Sequence, residues 1–311
     1  MFNPLVSVIV PNYNHARFLT ERFESILAQT YTNFEIIVLD DCSTDDSREI
    51  IERYRSNPHV SKIVYNEQNC GNTFEQWMHG IELAQGELCW IAESDDSCLP
   101  TLLEKLVPMF EKSKNVSLAV CKCLLIDVNG NALNKHCLSE EMIVENGKDF
   151  IRRHLVFNNY ICNSGMAVFK RSVALDVNRQ FIDKKYAGTG DMMFWIEMCE
   201  TGEIGLLSEC LDLFRIHGTN QTSKREIDGT NSMGRKHILN YLLSKKIISW
   251  KTSRLVRLYF LKKIKEDKNL SKDVYIRLCK LWYVPWIERR WWGGYVHFQN
   301  FITRLKTNRL K

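Results

Sequence analysis

Three acids crowd into four positions at the end of an apolar run: ELCWIAESDDSCLP, residues 87–100, carries Glu93, Asp95 and Asp96. Carboxylates packed together where a buried strand ends repel one another unless a cation sits beside them. Two adjacent carboxylates are hard oxygen donors that suit Mg²⁺ or Mn²⁺ rather than Zn²⁺, and such an ion also takes ligands from substrate phosphates. Taken alone, the same residues also make an ordinary solvated turn ahead of the helical run LPTLLEKL. Asp40-Asp41 closes a second apolar run. Asp favours strand-end turns, and its carboxylate equally accepts hydrogen bonds from the N–H or O–H groups of a base or sugar. Asp191 follows AGTG and opens an apolar helical stretch, where it is either a cap or a general base for an acceptor hydroxyl. His217, after LFRI, is a metal or phosphate contact or a plain core or surface histidine.

The elements that must position these residues follow a β-α-β-α-β-α-β rhythm. VSVIV (6–10) is a short β-branched run of the kind buried on both faces, and FEIIVLD, SKIVYN and ELCWIAE repeat it. Between them, residues 16–30 carry a helical stripe of Phe18, Leu19, Phe23, Ile26 and Leu27. STDDSREIIERYRS reads as a helix, with Ser43 and Asp46 close to a capping box, and TFEQWMHGIELAQG as a helix ending at Gly86. TLLEKLVPMFEKS is expected as one helix, VSLAVCKCLLID, NSGMAVFKRS and CLDLFRIH as strands, and GDMMFWIEMCETG as a short helix. The alternation predicts a mostly parallel sheet covered on both faces, with ligands beyond the carboxyl ends of its strands. Pro11-Asn12-Tyr13, Asp40-Asp41 and Glu93 to Asp96 then share one sheet edge, and that convergence outweighs any one of them.

A chain of 311 residues, 45% hydrophobic and 25% charged, has ample material for a core and fits one large domain with an appendage. The 15 Gly and 6 Pro are spread out, so no long flexible linker is expected, and no internal repeat occurs. Eleven scattered cysteines without a CxxC pair read as reduced thiols, with Cys121 and Cys123 packing a strand. The N-terminus lacks the basic region and cleavage site of a signal peptide, and no uncharged apolar stretch approaches the ~20 residues of a membrane span. The net charge of +5 conceals an asymmetry: residues 235–311 hold 20 Lys and Arg against 4 Asp and Glu, leaving 22 against 33 before them. Such a basic tail seeks an anionic partner.

The residues carry a family resemblance. VSVIVPNYNHARFLTERFESILAQTYTNFEIIVLDDCSTDDSREII is similar to the opening of glycosyltransferase family 2, enzymes of the GT-A fold. ELCWIAESDD resembles that family's acidic DxD element, GTGDMMFW its catalytic Asp segment and FRIHGTNQTS its closing strand, in the family's order over about residues 4–225. No Gly-x-Gly-x-x-Gly follows the first strand, which argues against a dinucleotide-binding enzyme. The resemblance implies an inverting transfer of sugar from a nucleoside diphosphate donor, a UDP-sugar, to a hydroxyl. It implies that Pro11 and Tyr13 line the base pocket and that Asp41 bonds the base. Asp95 would hold the donor's ribose or sugar, and Asp96 the divalent Mg²⁺ or Mn²⁺ bridging the diphosphate. Asp191 would be the catalytic base, and Arg215 and His217 would contact the diphosphate and metal. Glu-Ser-Asp-Asp departs from a strict Asp-x-Asp and leaves Glu93 without an assigned role.

The expectation is therefore a GT-A-type, Rossmann-like α/β domain over residues 1–230, then a basic, aromatic helical region over 231–311. Five of the eight tryptophans (Trp250, Trp282, Trp286, Trp291 and Trp292) fall in the tail. SRLVRLYFLKKIK sets Leu255, Leu258 and Tyr259, with Phe260 or Leu261, against Lys and Arg. Such helices suit an anionic headgroup layer or pack on the catalytic domain. The expected partners are a nucleotide-sugar donor and a glycan or lipid-linked acceptor, in bacterial surface polysaccharide synthesis. No nucleic acid is expected. The expected place is cytoplasmic, peripheral on the inner face of the membrane. The competing readings are a nucleotidyltransferase, which should show a glycine-rich loop that PNYNHARF lacks, and a silent nucleotide-sugar-binding scaffold, disfavoured by Asp96 and Asp191 together.

Overall fold

A computed structural model describes residues 2–134, 137, 139–217 and 228–285. The expected rhythm opens the chain: β1 (Val6–Asn12), α1 (Ala16–Leu27), β2 (Phe34–Asp40), α2 (Ser47–Arg53), β3 (Val60–Tyr65), α3 (Thr73–Leu83) and β4 (Leu88–Ile91). β1, β2 and β4 are buried at every position, as continuous apolar runs require. α1 turns Phe18, Leu19, Phe23 and Ile26 inward, and Arg22 with them. α3 lies so close on β1 that a Cβ at Gly80 would stand 2.3 Å from Ile9 Cγ2, so only glycine fits there.

The second half is less regular. It runs β5 (Ser97–Cys98), α4 (Leu102–Leu106), α5 (Met109–Lys112), β6 (Val116–Ile126), β7 (Met142–Asn146), α6 (Gly147–Phe150), β8 (Ala167–Lys170), α7 (Arg171–Leu175), α8 (Gly190–Glu200) and β9 (Glu203–Arg215). The single helix expected over 101–113 is two, because Pro108 has no N–H to donate and caps the second. The capping box expected at Ser43 and Asp46 does not form. Asp45 instead accepts from Ser47 N and Ala16 N, and Asp46 makes no side-chain cap.

Among the described residues, nine strands form one sheet in the order β3-β2-β1-β4-β8-β6-β9-β5, with β7 also paired to β9. β1 to β4 run parallel, β8 reverses against both β4 and β6, and β9 runs parallel to β6. β5 and β7 are antiparallel to β9, so β1 to β4, β6 and β9 share one direction. That direction gathers the ends of β1, β2, β4 and β9 on one edge.

The chain divides into two compact units, Met1–Gln221 and Thr222–Lys311. In the second, helices Thr230–Ser244, Trp250–Glu266 and Lys272–Leu281 pack on one another. The middle helix buries Val256, Leu258, Phe260, Leu261 and Ile264, whereas Leu255 and Tyr259 of the expected stripe are only half-buried. Trp282 is fully buried and stacks on Phe260 at 4.6 Å, with Lys236 over its ring, and Trp250 is exposed. Trp286, Trp291 and Trp292 lie outside the described residues. Among the described residues, no helix is long and apolar enough to cross a membrane.

Candidate active site

The ends of β1 and β2 are tied together. Asn12 donates to Asp40 (2.9 Å) and to the Ser43 hydroxyl (3.1 Å), and Asp40 also takes Ser43 N and Arg48 Nε. Asp40, fully buried and fully bonded, therefore holds the turn. Asp41 beside it gathers three donors on Oδ1: Asn66 Nδ2 (2.7 Å), Cys70 N (3.0 Å) and Gln76 Nε2 (3.1 Å). Its Oδ2 meets only the weak Cys70 thiol donor among the described residues (3.2 Å). Pro11 is buried in β1, and Tyr13 stands exposed next to it.

At the end of β4 the three acids separate into different electrostatic states. Glu93 accepts from Trp77 Nε1 (2.9 Å) and Ser164 Oγ (3.2 Å). Burial, with Asp95 adding repulsion, raises its pKa to about 8, so it is mostly protonated at neutral pH. Asp96 is 1% exposed, and its oxygens accept from Arg215 N (2.7 Å) and Asn163 Nδ2 (2.6 Å). Burial and the neighbouring Asp95 and Asp212 push its carboxyl well above the usual range, outweighing Arg22. Asp95 goes the other way. Burial opposes its charge, but a 2.8 Å hydrogen bond from His217 Nε2 and the His15 and His217 imidazoles hold its carboxyl below the usual value. The acidic cluster thus concentrates its negative charge on Asp95.

Sequence patterning misses the residues that surround this charge. His15 Nδ1 bonds Ser94 Oγ (2.8 Å) and lies 4.0 Å from Asp95 Oδ1. Arg22, fully buried, donates to the Glu93 carbonyl and lies over the Trp90 ring. Its signal was present: an Arg at the i+3 place of the Leu19–Phe23–Ile26 stripe faces the core. Asp212 in β9 is fully buried, its carboxylate has no hydrogen-bond partner among the described residues, and burial raises its pKa to about 8. Arg215 spends its guanidinium inside the protein, donating to the carbonyls of Asp95 (2.8 Å) and Asp127 (3.1 Å), pairing with Glu21 and lying over Phe18.

The short segment 159–164 touches three of the acids. Asn159 Nδ2 donates to Asp191 Oδ2 (2.7 Å), Asn163 to Asp96 and Ser164 to Glu93. Asp191 stands in the first turn of α8, where the helix dipole favours its charge. Asp191 and the β4 acids are therefore linked through one loop, although they are far apart in sequence.

Three ligand atoms, one each from His15, Asp95 and His217, lie within 4.8 Å of one another. Two imidazoles and a carboxylate make a mixed donor set for a divalent metal ion, in which the carboxylate is the ligand that suits Mn²⁺. Asp96, the metal ligand implied by the resemblance, accepts one protein hydrogen bond on each oxygen, and the carboxylate of the trio is Asp95.

A mixed sheet with an acidic strand edge, a helix-start Asp and a histidine just past β9 is the arrangement that the resemblance to GT-A-type glycosyltransferases implies. Residues 7–177 match the family described as glycosyl transferase family 2. The chain belongs to that family and is a glycosyltransferase. An uncharacterised Haemophilus influenzae glycosyltransferase is 28% identical over 87% of this chain and 84% of its own. The Bacillus subtilis protein TuaG, named for teichuronic acid biosynthesis, is 24% identical over 72% of this chain and 84% of its own. The crystal structure of Staphylococcus aureus TarS 1–349 with UDP-GlcNAc superposes with a TM-score of 0.67, covering 89% of this chain and 80% of that one at 17% identity. At that identity the likeness is one of fold.

Proposed function

We propose that the protein is an inverting glycosyltransferase that moves a sugar from a UDP-sugar to a hydroxyl of a glycan or lipid-linked acceptor in bacterial surface polysaccharide synthesis. The observation that carries this reading is Asp95 set between His15 (4.0 Å) and His217 (2.8 Å), with its carboxyl held below the usual range while those of Glu93 and Asp96 beside it are pushed up. In this reading residues 1–230 form the catalytic domain and 231–311 a basic helical appendage.

His15, Asp95 and His217 would hold a divalent ion, with two imidazole ligands favouring Mn²⁺ over Mg²⁺, and when bound it would neutralise charge on the departing diphosphate. Asp41 offers Oδ2 to a base N–H, and its other oxygen is fixed by three donors that keep the carboxylate oriented. Pro11 and the exposed Tyr13 flank the base. Arg215 holds the Asp95 carbonyl with its guanidinium and the Asp96 carboxylate with its backbone N–H. Asp191 takes the proton of the acceptor hydroxyl, which is too weak a nucleophile to attack the anomeric carbon unaided. Asn159 fixes the rotamer of that base. One in-line displacement suffices, and no covalent enzyme intermediate is needed. The appendage, with its excess of Lys and Arg, would lean on an anionic membrane surface where a lipid-linked acceptor resides.

Thermal stabilisation by UDP, UDP-GlcNAc and GDP-mannose, each with Mn²⁺, Mg²⁺ or EDTA, tests the reading. A ligand at about 100 times its dissociation constant adds about 2.7 kcal/mol of stability. UDP and a UDP-sugar should stabilise the protein only with the metal present. Absence of a shift with every nucleotide and ion overturns the reading.

A further inference from the structure

The segment that touches Glu93, Asp96 and Asp191 also carries Cys162, which is exposed. Its sulfur lies 3.6 Å from that of Cys123, a β6 residue in register with the buried Asp212 of β9. No other pair among the described cysteines is recorded in direct sulfur contact, and the two come together across 39 residues of sequence. A disulfide needs sulfurs about 2.05 Å apart, so each sulfur must move by less than about 1 Å. We propose that Cys123 and Cys162 form an oxidant-sensitive dithiol site whose disulfide displaces the 159–164 segment and lowers turnover.

Cys162 is the exposed member of the pair and Cys123 the less exposed one, so a dissolved oxidant meets Cys162 first. Cys162 is therefore the attacking thiolate and Cys123 the resolving thiol. With a peroxide as oxidant, the Cys162 thiolate attacks one oxygen, the O–O bond breaks, and a sulfenic acid and hydroxide form. The Cys123 sulfur then attacks the Cys162 sulfur. The S–S bond forms, the S–O bond breaks, and the departing hydroxide takes the Cys123 proton as water. Two thiols and one hydrogen peroxide give one disulfide and two waters. Drawing Cys162 toward β6 pulls on Asn159 and Asn163 on either side of it, and so on the hydrogen bonds to Asp191 and Asp96.

The full chain, folded and reduced, is treated with a slight excess of hydrogen peroxide, alkylated, digested without reductant and analysed by mass spectrometry. The expected product is a Cys123–Cys162 linked peptide that dithiothreitol reverses. Cys123→Ser should leave a Cys162 sulfenic acid trapped by dimedone, and Cys162→Ser should leave Cys123 unlinked. Alkylation of both cysteines after peroxide, or a link from Cys162 to a different cysteine, overturns the site. The effect on turnover rests on the proposed role of Asp191 and is read as UDP release from UDP-GlcNAc. A reversible fall of about fivefold or more supports the coupling, and a mapped link with unchanged turnover overturns it. If the reduced protein itself releases no UDP, the fault lies in the proposed function, and the peptide map still decides the dithiol site.

Discussion

His217 Nε2 stands 2.8 Å from Asp95 Oδ2, and that contact joins the segment just after β9 to the turn after β4. It decides which of two adjacent aspartates carries the site's negative charge. Asp95 faces two imidazoles and ionises, whereas Asp96 faces inward and is pushed toward neutrality.

The first prediction concerns that contact. His217→Ala and Asp95→Asn should each abolish the metal-dependent part of UDP stabilisation and cut turnover at least about tenfold, as loss of metal-site partners does elsewhere. Asp96→Asn, which retains an acceptor for the Arg215 N–H, should keep the metal response. A thermal-shift titration with Mn²⁺ and UDP separates the variants, and an unchanged response in His217→Ala removes it as a ligand.

The second prediction is a pH dependence. Glu93 and Asp212 have folded pKa values of about 8, above their ordinary 4.5 and 3.8. The folded protein therefore holds protons that the unfolded chain gives up. Their stabilising contribution is complete below the unfolded values and is lost as pH rises toward about 8. Asp95, held low, acts only below that window. In EDTA, the Tm of the wild type should fall between pH 5.5 and 8.5. Glu93→Gln, whose amide oxygen still accepts from Trp77 and Ser164, should show a shallower fall. Parallel curves would remove Glu93 as the source.

Much of this was readable from residue pattern. β1, β2 and β4 are unbroken apolar runs, and such runs announce buried parallel strands. The partly exposed MIVEN of β7 and the two-residue β5 carry no periodicity, so only pairing with β9 defines them. Site residues divide in the same way. Asp41, Asp95 and Asp191 are visible as acids at element ends. His15, Asn159 and Asn163 are ordinary loop residues until tertiary contacts bring them to those acids. Nor can the sequence distinguish Asp95 from Asp96, because their difference lies only in which way each side chain faces.

The third prediction tests the packing behind the site. A Cβ at Gly165 would lie 2.2 Å from Asp212 Oδ1 and 3.0 Å from Asn163 Oδ1. Gly165→Ala must push both aside, and overpacking of this kind costs about 1–3 kcal/mol. Each kcal/mol lowers Tm by about 2–4 °C in a domain of this size. A scan should show that loss, and an unchanged Tm would mean the Asp212 pocket has room to give.

The fourth prediction addresses the appendage. Phe260 and Trp282 stack inside the second unit, leaving Trp250 and Tyr283 exposed among its basic residues. If the appendage docks on lipid, Trp250→Ala with Tyr283→Ala should reduce co-flotation with phosphatidylserine vesicles. High salt should reduce it too, since charge attraction is screened. Flotation of the double variant equal to wild type assigns these rings no part in docking.

The fifth prediction separates Asp191 from the residue that holds it. A general base contributes about 10²–10⁴-fold to turnover and little to donor affinity. Asp191→Asn should therefore lower kcat by about 10²-fold or more while UDP stabilisation with metal stays near wild type. Asn159→Ala removes one hydrogen bond at 2.7 Å to the same carboxylate but leaves the base in place. Its kcat should fall several-fold, between wild type and Asp191→Asn, with donor KM unchanged. In the double variant the two losses should not add, because a positioning residue has nothing left to position once the base is gone. Additive losses would mean that Asn159 acts on the reaction by a route of its own.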